Sequence, residues 1–159
     1  MKKLFLVRHA KSDWDKPALK DIERHLNERG YANANQMSQE FKVTPDLIIT
    51  SPAIRAISTA LIFARNLNYN SNNISIKQEL YDTSVKDYLS VVDSIDNQIE
   101  SVMLFAHNPT ISDFANSLMK SHSVEMPTCA IIGISFDISN WKDIKANSGK
   151  QLLFDFPKK

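Results

Sequence analysis

Short apolar runs alternate along this chain with amphipathic stretches of roughly ten to fifteen residues. Five runs read as buried or half-buried strands: Lys3–Val7, Leu47–Thr50, Ile74–Lys77, Ser101–Ala106 and Ala130–Phe136. Leu152–Phe156 offers a sixth, although the stretch Gln151–Lys159 reads equally as an edge strand or a loose tail. Helical spacing falls on Glu28–Phe41, Ala53–Leu67, Val85–Ile95 and Thr110–Met119. Asn27 is placed to cap the first of these, and Pro52 marks the start of the second. The first helix should present Tyr31, Ala34, Met37, Ser38 and Phe41 on one face, and the second Ile54, Ile57, Leu61, Ile62 and Ala64. Strands alternating with helices imply βαβ units and a sheet covered on both sides. The expected fold is a three-layer α/β/α sandwich around a mostly parallel sheet of about five or six strands. A length of 159 residues fits one domain spanning 1–159.

Composition then narrows the function classes. A net charge of +1 argues against nucleic-acid binding through a broad basic surface, and no nucleic-acid partner is expected. One cysteine, Cys129, excludes an intrachain disulfide and any multi-cysteine zinc site. Its neighbours Ala130, Ile131 and Ile132 make it a small buried hydrophobe rather than a reactive thiol. The apolar residues before Arg8 are too few for a signal peptide, and no run approaches the ~20 residues of a membrane span. A cytoplasmic location without membrane association is expected. Only Gly30, Gly133 and Gly149 occur, so no glycine-rich phosphate cradle can form and side chains must hold any anion.

The chemistry concentrates where strands end. Arg8 and His9 close the first strand, and Ser12–Arg24 continues as a polar loop. Arginine supplies a fixed bidentate fork for anions, and histidine a nucleophile or base near neutral pH. Ser51-Pro52-Ala53-Ile54-Arg55 follows the second strand and puts Arg55 in the first turn of a helix. His107-Asn108 ends the fourth strand, and Arg24 precedes the first helix. In a parallel sheet the carboxyl ends of the strands share one edge, so Arg8, His9, Arg55 and His107 should converge there. His25 and His122, by contrast, read as solvent-facing or turn-capping residues. No metal-ligand set stands out, and neither metal nor cofactor is expected.

The Leu-Val-Arg-His opening, Ser-Pro-x-x-Arg and Ala-His-Asn, taken in order, resemble the histidine phosphatase (phosphoglycerate mutase-like) superfamily. Arg24-His25-Leu26-Asn27-x-x-Gly30 resembles a further segment of that family, and the compact set is most similar to its SixA-type phosphohistidine phosphatase branch. The resemblance spans roughly residues 3–137. It implies that His9 becomes transiently phosphorylated, that Arg8, Arg24 and Arg55 grip the phosphoryl oxygens, and that His107 completes the pocket. One departure is Ala10, where many relatives carry glycine; it matters only if the backbone there needs positive φ.

A phosphate ester needs its departing oxygen protonated. Glu79, after the third strand, is the residue that esterase relatives point to, with Asp82, Asp13 and Asp15 behind it. Phosphohistidine leaves as an imidazole, which does not need that acid. The short Asn68–Asn73 connection leaves no sequence for a lid, so a phosphorylated protein surface could reach an open pocket, unless Ser12–Asp21 closes over it. Lys11, Ser12 and Asn108 are further candidates to contact phosphate, and Trp14 to wall the entrance. Three readings follow: a phosphatase acting on phosphohistidine in a protein, a small-molecule phosphomonoesterase using Glu79, and a binding module for a phosphorylated partner.

Overall fold

Each predicted strand and helix is present in the computed structural model, which describes residues 1–120 and 123–158; His122 lies outside them. The chain runs β1 (Lys2–Arg8), α1 (Glu28–Glu40), β2 (Leu47–Thr50), α2 (Ile54–Asn66) and β3 (Ser75–Ile76). It continues through α3 (Val85–Asp93), β4 (Ser101–Ala106), α4 (Thr110–Leu118), β5 (Ile131–Phe136) and β6 (Lys150–Asp155). The strands form one sheet in the order β3-β2-β4-β1-β5-β6. The pairings on the β3 side, up to β1, are parallel; β5 runs antiparallel to both of its neighbours. Lys150–Asp155 is thus an edge strand. Among the described residues, no helix is long and apolar enough to cross a membrane.

Local chemistry sets the helix starts. The Asn27 side chain accepts from the Gly30 N–H at 2.8 Å, and Ser84 and Asp87 form a reciprocal capping box for α3. Helices α1 and α2 cover one face of the sheet, where Ala34, Met37, Ala60 and Phe63 meet Ile48 and Phe105. Helices α3 and α4 cover the other, where Tyr88, Val92, Phe114 and Leu118 meet Leu4, Leu6 and Leu104.

The faces differ from expectation in two places. Tyr31 on α1 and Leu61 on α2 are exposed, and Ile54 and Ile57 are only half-buried. Helix α2 buries the expected Ile62 and Ala64, and beside them Ala56, Ala60 and Phe63 together with Arg55 and Thr59. Small alanines let α2 lie close to the sheet, and the same rotation turns Arg55 inward. The third strand shrinks from the expected Ile74–Lys77 to the two residues Ser75–Ile76.

Register brings the strand ends together. Arg8 lies opposite Ala106, and Thr50 opposite Phe105. His9, Ser51 and His107 therefore leave the sheet side by side, with the His9 N–H bonded to the Ala106 carbonyl at 3.1 Å and the Ser51 N–H to Phe105 at 3.0 Å. Because β5 is antiparallel, its first residues, just after Thr128 and Cys129, reach this same edge.

Candidate active site

At this edge lies a cavity of about 350 Å³, lined by Arg8, His9, Lys11, Ser12, Trp14, Arg24, Arg55, His107, Asn108 and Thr128. Of the expected site residues, only Glu79 is missing from it. Glu79 sits exposed on a single 3-10 turn (Gln78–Leu80), and this is a correction to the sequence reading. The turn directs Tyr81, two residues on, toward the site: its ring packs edge-on to His107 at 5.6 Å. Asp82 is exposed, while Asp13 and Asp15 line a neighbouring hollow.

His9 is 7% exposed, and its ring centre lies 5.2 Å from that of His107. Its Nδ1 is 2.7 Å from the Ala10 carbonyl, which can only accept. Nδ1 must therefore carry the proton, leaving a lone pair on Nε2. Burial pushes the His9 pKa down; the Ala10 bond opposes this, but His107, Arg55 and Arg8 add to it, and the value falls to about 3. Burial, with Arg55, likewise lowers His107 to about 4. Both rings are neutral near pH 7.

Ser51 Oγ lies 2.7 Å from His107 Nε2 and already accepts from the Ala53 N–H. The hydroxyl holds the ring at Nε2, leaving Nδ1 as its other nitrogen. That Nδ1 is buried without a hydrogen-bond partner, as are the Nε atoms of Arg8 and Arg55. Arg8, Arg55 and His107, whose buried nitrogens lack partners, all line the cavity, a setting that suits a ligand with several acceptor oxygens.

The arginines are fixed from behind. Arg8 Nη1 donates to the Met126 carbonyl at 2.9 Å. Asn108 donates to the same carbonyl and accepts from Ser112, so Asn108 steadies the loop that holds Arg8 rather than orienting His107. Arg24 donates to Ser12 Oγ and stacks 3.5 Å beneath the ring of Trp14, which is 75% exposed. Of the Ser12–Asp21 loop, only Ser12 and Trp14 line the cavity, and they form one wall. Lys11 lines it with an exposed side chain.

Sequence reasoning missed Asp21. Its Oδ1 accepts from Arg24 Nε and Nη2, and its Oδ2 from Arg55 Nη2 at 3.0 Å and from Tyr81 at 2.7 Å. Its carbonyl accepts from Arg55 Nη1 at 2.7 Å. Partial burial raises the Asp21 pKa, but the bonds from Tyr81, Arg55 and Arg24 outweigh it and hold the carboxyl at about 2. The sequence signal was the spacing of an acid three residues before Arg24, a reach that a single 3-10 turn provides. Thr59, one turn after Arg55, accepts from the Ala10 N–H and donates to the Arg55 carbonyl. Ala10 itself is buried and not at positive φ, so glycine is not required there. Cys129 does adopt positive φ, and its N–H reaches both the Arg8 and His9 carbonyls at 3.0 Å. Burial raises its thiol to about 12, consistent with an inert packing role.

Comparison with known proteins gives five findings. Residues 4–114 match the model of the histidine phosphatase superfamily (branch 1). An uncharacterized chloroplast protein of Arabidopsis thaliana is 25% identical over 93% of this chain and 72% of its own length. A Hydrogenobacter thermophilus protein assigned as a phosphoserine phosphatase is 31% identical over 55% of this chain and 43% of its own. Among solved structures, one from Agrobacterium tumefaciens assigned as the phosphohistidine phosphatase SixA has TM-score 0.82 at 25% identity, covering 99% of both chains. The protein histidine phosphatase SixA in complex with tungstate has TM-score 0.83 at 21% identity, covering 97% of this chain and 96% of its own.

Proposed function

The chain belongs to the histidine phosphatase superfamily and is a phosphatase, and from that premise we propose that it removes phosphate from phosphohistidine carried on a protein, by way of a phosphoryl group on His9. One observation supports this substrate over an ester: among the described residues lining the cavity there is no carboxyl group to protonate a leaving alkoxide. Asp21, the acid nearest the arginines, is held ionised by three donors.

Phosphohistidine protonated on its second ring nitrogen can transfer without a general acid. The Nε2 lone pair of His9 attacks phosphorus while the substrate's P–N bond breaks, and the departing imidazole leaves neutral with that electron pair. The His9 ring, already bearing a proton on Nδ1, becomes the N-phosphoryl imidazolium, steadied by the Ala10 carbonyl. One P–N bond is exchanged for another like it, so the step is close to balanced. Water then attacks phosphorus, the bond to Nε2 breaks, and the proton lost by water stays on the released dihydrogen phosphate. Arg8, Arg55 and His107 bind the phosphoryl oxygens throughout, with Arg24, Ser12 and Lys11 at their flank. Trp14 borders the entrance, and the open wall beyond it suits a protein-borne substrate.

The deciding experiment compares turnover of a histidine-phosphorylated protein and an aryl phosphate ester, with His9→Ala as control. A preference of about 10³-fold or more for the phosphoprotein, lost in His9→Ala and unchanged in Glu79→Gln, is the expected result. Comparable ester cleavage would move the substrate to a small phosphomonoester, the class to which the Hydrogenobacter relative's name points. Phosphate binding with no His9-dependent turnover would leave a binding module.

A further inference from the structure

Beside the catalytic cavity lies a second hollow of about 430 Å³, and the two share Lys11 and Thr128. Its walls carry Lys11, Arg29 and Lys158 over an apolar floor of Pro127, Phe156 and Pro157, with no carboxylate among its described lining residues. Arg29 and Asn33 stand one turn apart on α1, which Gly30 seats directly against the Lys11 backbone. Lys11 and Arg29 form no ion pair among the described residues; Lys158 has only a loose surface contact with Asp155 at 3.9 Å. On the opposite side of Lys11 the sign reverses, since the adjoining hollow is lined by Asp13, Asp15 and Glu28. In a chain of 19 basic and 18 acidic side chains, this separation of sign across one lysine gives the entrance a direction.

We propose that the Arg29–Lys158 groove docks an acidic segment of the phosphorylated protein, leading its phosphohistidine into the cavity at Lys11. This rests on the phosphohistidine reading of the catalytic site and adds the partner's charge to it. Charge complementarity selects the occupant: Arg29 and Lys158, which are not among the residues lining the catalytic cavity, stand over an apolar floor and attract carboxylates.

Three phosphohistidine peptides of equal length, flanked by Glu, Gln or Lys, test it against wild type and the double variant Arg29→Glu/Lys158→Glu. Wild type should show kcat/KM highest for the Glu peptide, by about tenfold over the Lys peptide, mainly through KM. The double variant should lose or invert that order while hydrolysing free phosphohistidine at the wild-type rate. Anisotropy of a labelled, unphosphorylated Glu-rich peptide reads the groove independently of catalysis, with binding lost in the double variant. If all three peptides are cleaved alike, or the variant keeps the preference, the groove is overturned and the substrate reading stands. If no phosphohistidine is cleaved while the Glu peptide still binds through Arg29 and Lys158, the acidic docking holds and the substrate reading fails.

Discussion

His9 and Asp21 show how single residues are set by what touches them. A carbonyl acceptor at Nδ1 and a nearly complete loss of solvent keep His9 neutral with a free Nε2, and its pKa falls to about 3. NMR of the imidazole nitrogens should therefore show an Nδ1–H tautomer with no titration between pH 8 and 5, where an ordinary histidine would titrate near 6.5. A midpoint near 6.5 would contradict the assignment. Asp21 carries the orientation of two arginines at once, so Asp21→Asn should lower kcat/KM by about 10²-fold, because misplaced cations no longer match the transferring group. Tyr81→Phe removes one of the donors to Asp21 and should cost about tenfold or less. Steady-state kinetics on a phosphohistidine substrate, with melting curves to confirm folding, separates these effects.

At the scale of elements, the apolar pattern placed every strand and helix to within a few residues, because runs such as Ser101–Ala106 are buried on both faces and admit no other period. Arg8, His9, Arg55 and His107 were legible for the same reason: they interrupt apolar runs at strand ends. What stayed hidden was rotation about helix axes and the course of turns. Helix α2 is apolar on several sides, so nothing local chose Ala60 over Leu61 for the sheet. Likewise, Glu79 lies on a short turn that Tyr81 closes, and only tertiary packing decides which of them packs against His107. Gly30 is a case where spacing was visible and its cause was not: a Cβ there would stand 2.1 Å from the Lys11 carbonyl. Gly30→Ala should cost at least about 3 kcal/mol. For a protein of this size that lowers Tm by roughly 6–12 °C, measurable by calorimetry.

Across the whole molecule, the site makes stability depend on pH. The pKa values of His9 and His107 lie below 6.5 in the fold, at about 3 and about 4. Below pH 6.5 the unfolded chain takes up protons that the native chain refuses, so stability rises with pH through this window. The contribution is complete above 6.5 and is lost progressively as the pH falls toward 4 and then 3. Urea midpoints should accordingly drop between pH 7.5 and 5 in the wild type, and drop less in His107→Phe. Equal slopes in the two proteins would exclude His107 as a source.

The Thr59 hydroxyl, bonded to the Ala10 N–H and the Arg55 carbonyl, has a consequence on the clock of amide exchange. Ala10 belongs to a connection rather than a strand, yet its amide is buried and its acceptor is anchored to a helix. It can be released to solvent only when α2 parts from the sheet. Its deuterium uptake should therefore keep pace with that of β1 and β4, on the timescale of global opening rather than loop motion. The surroundings of His9 would then be among the last parts of the protein to breathe.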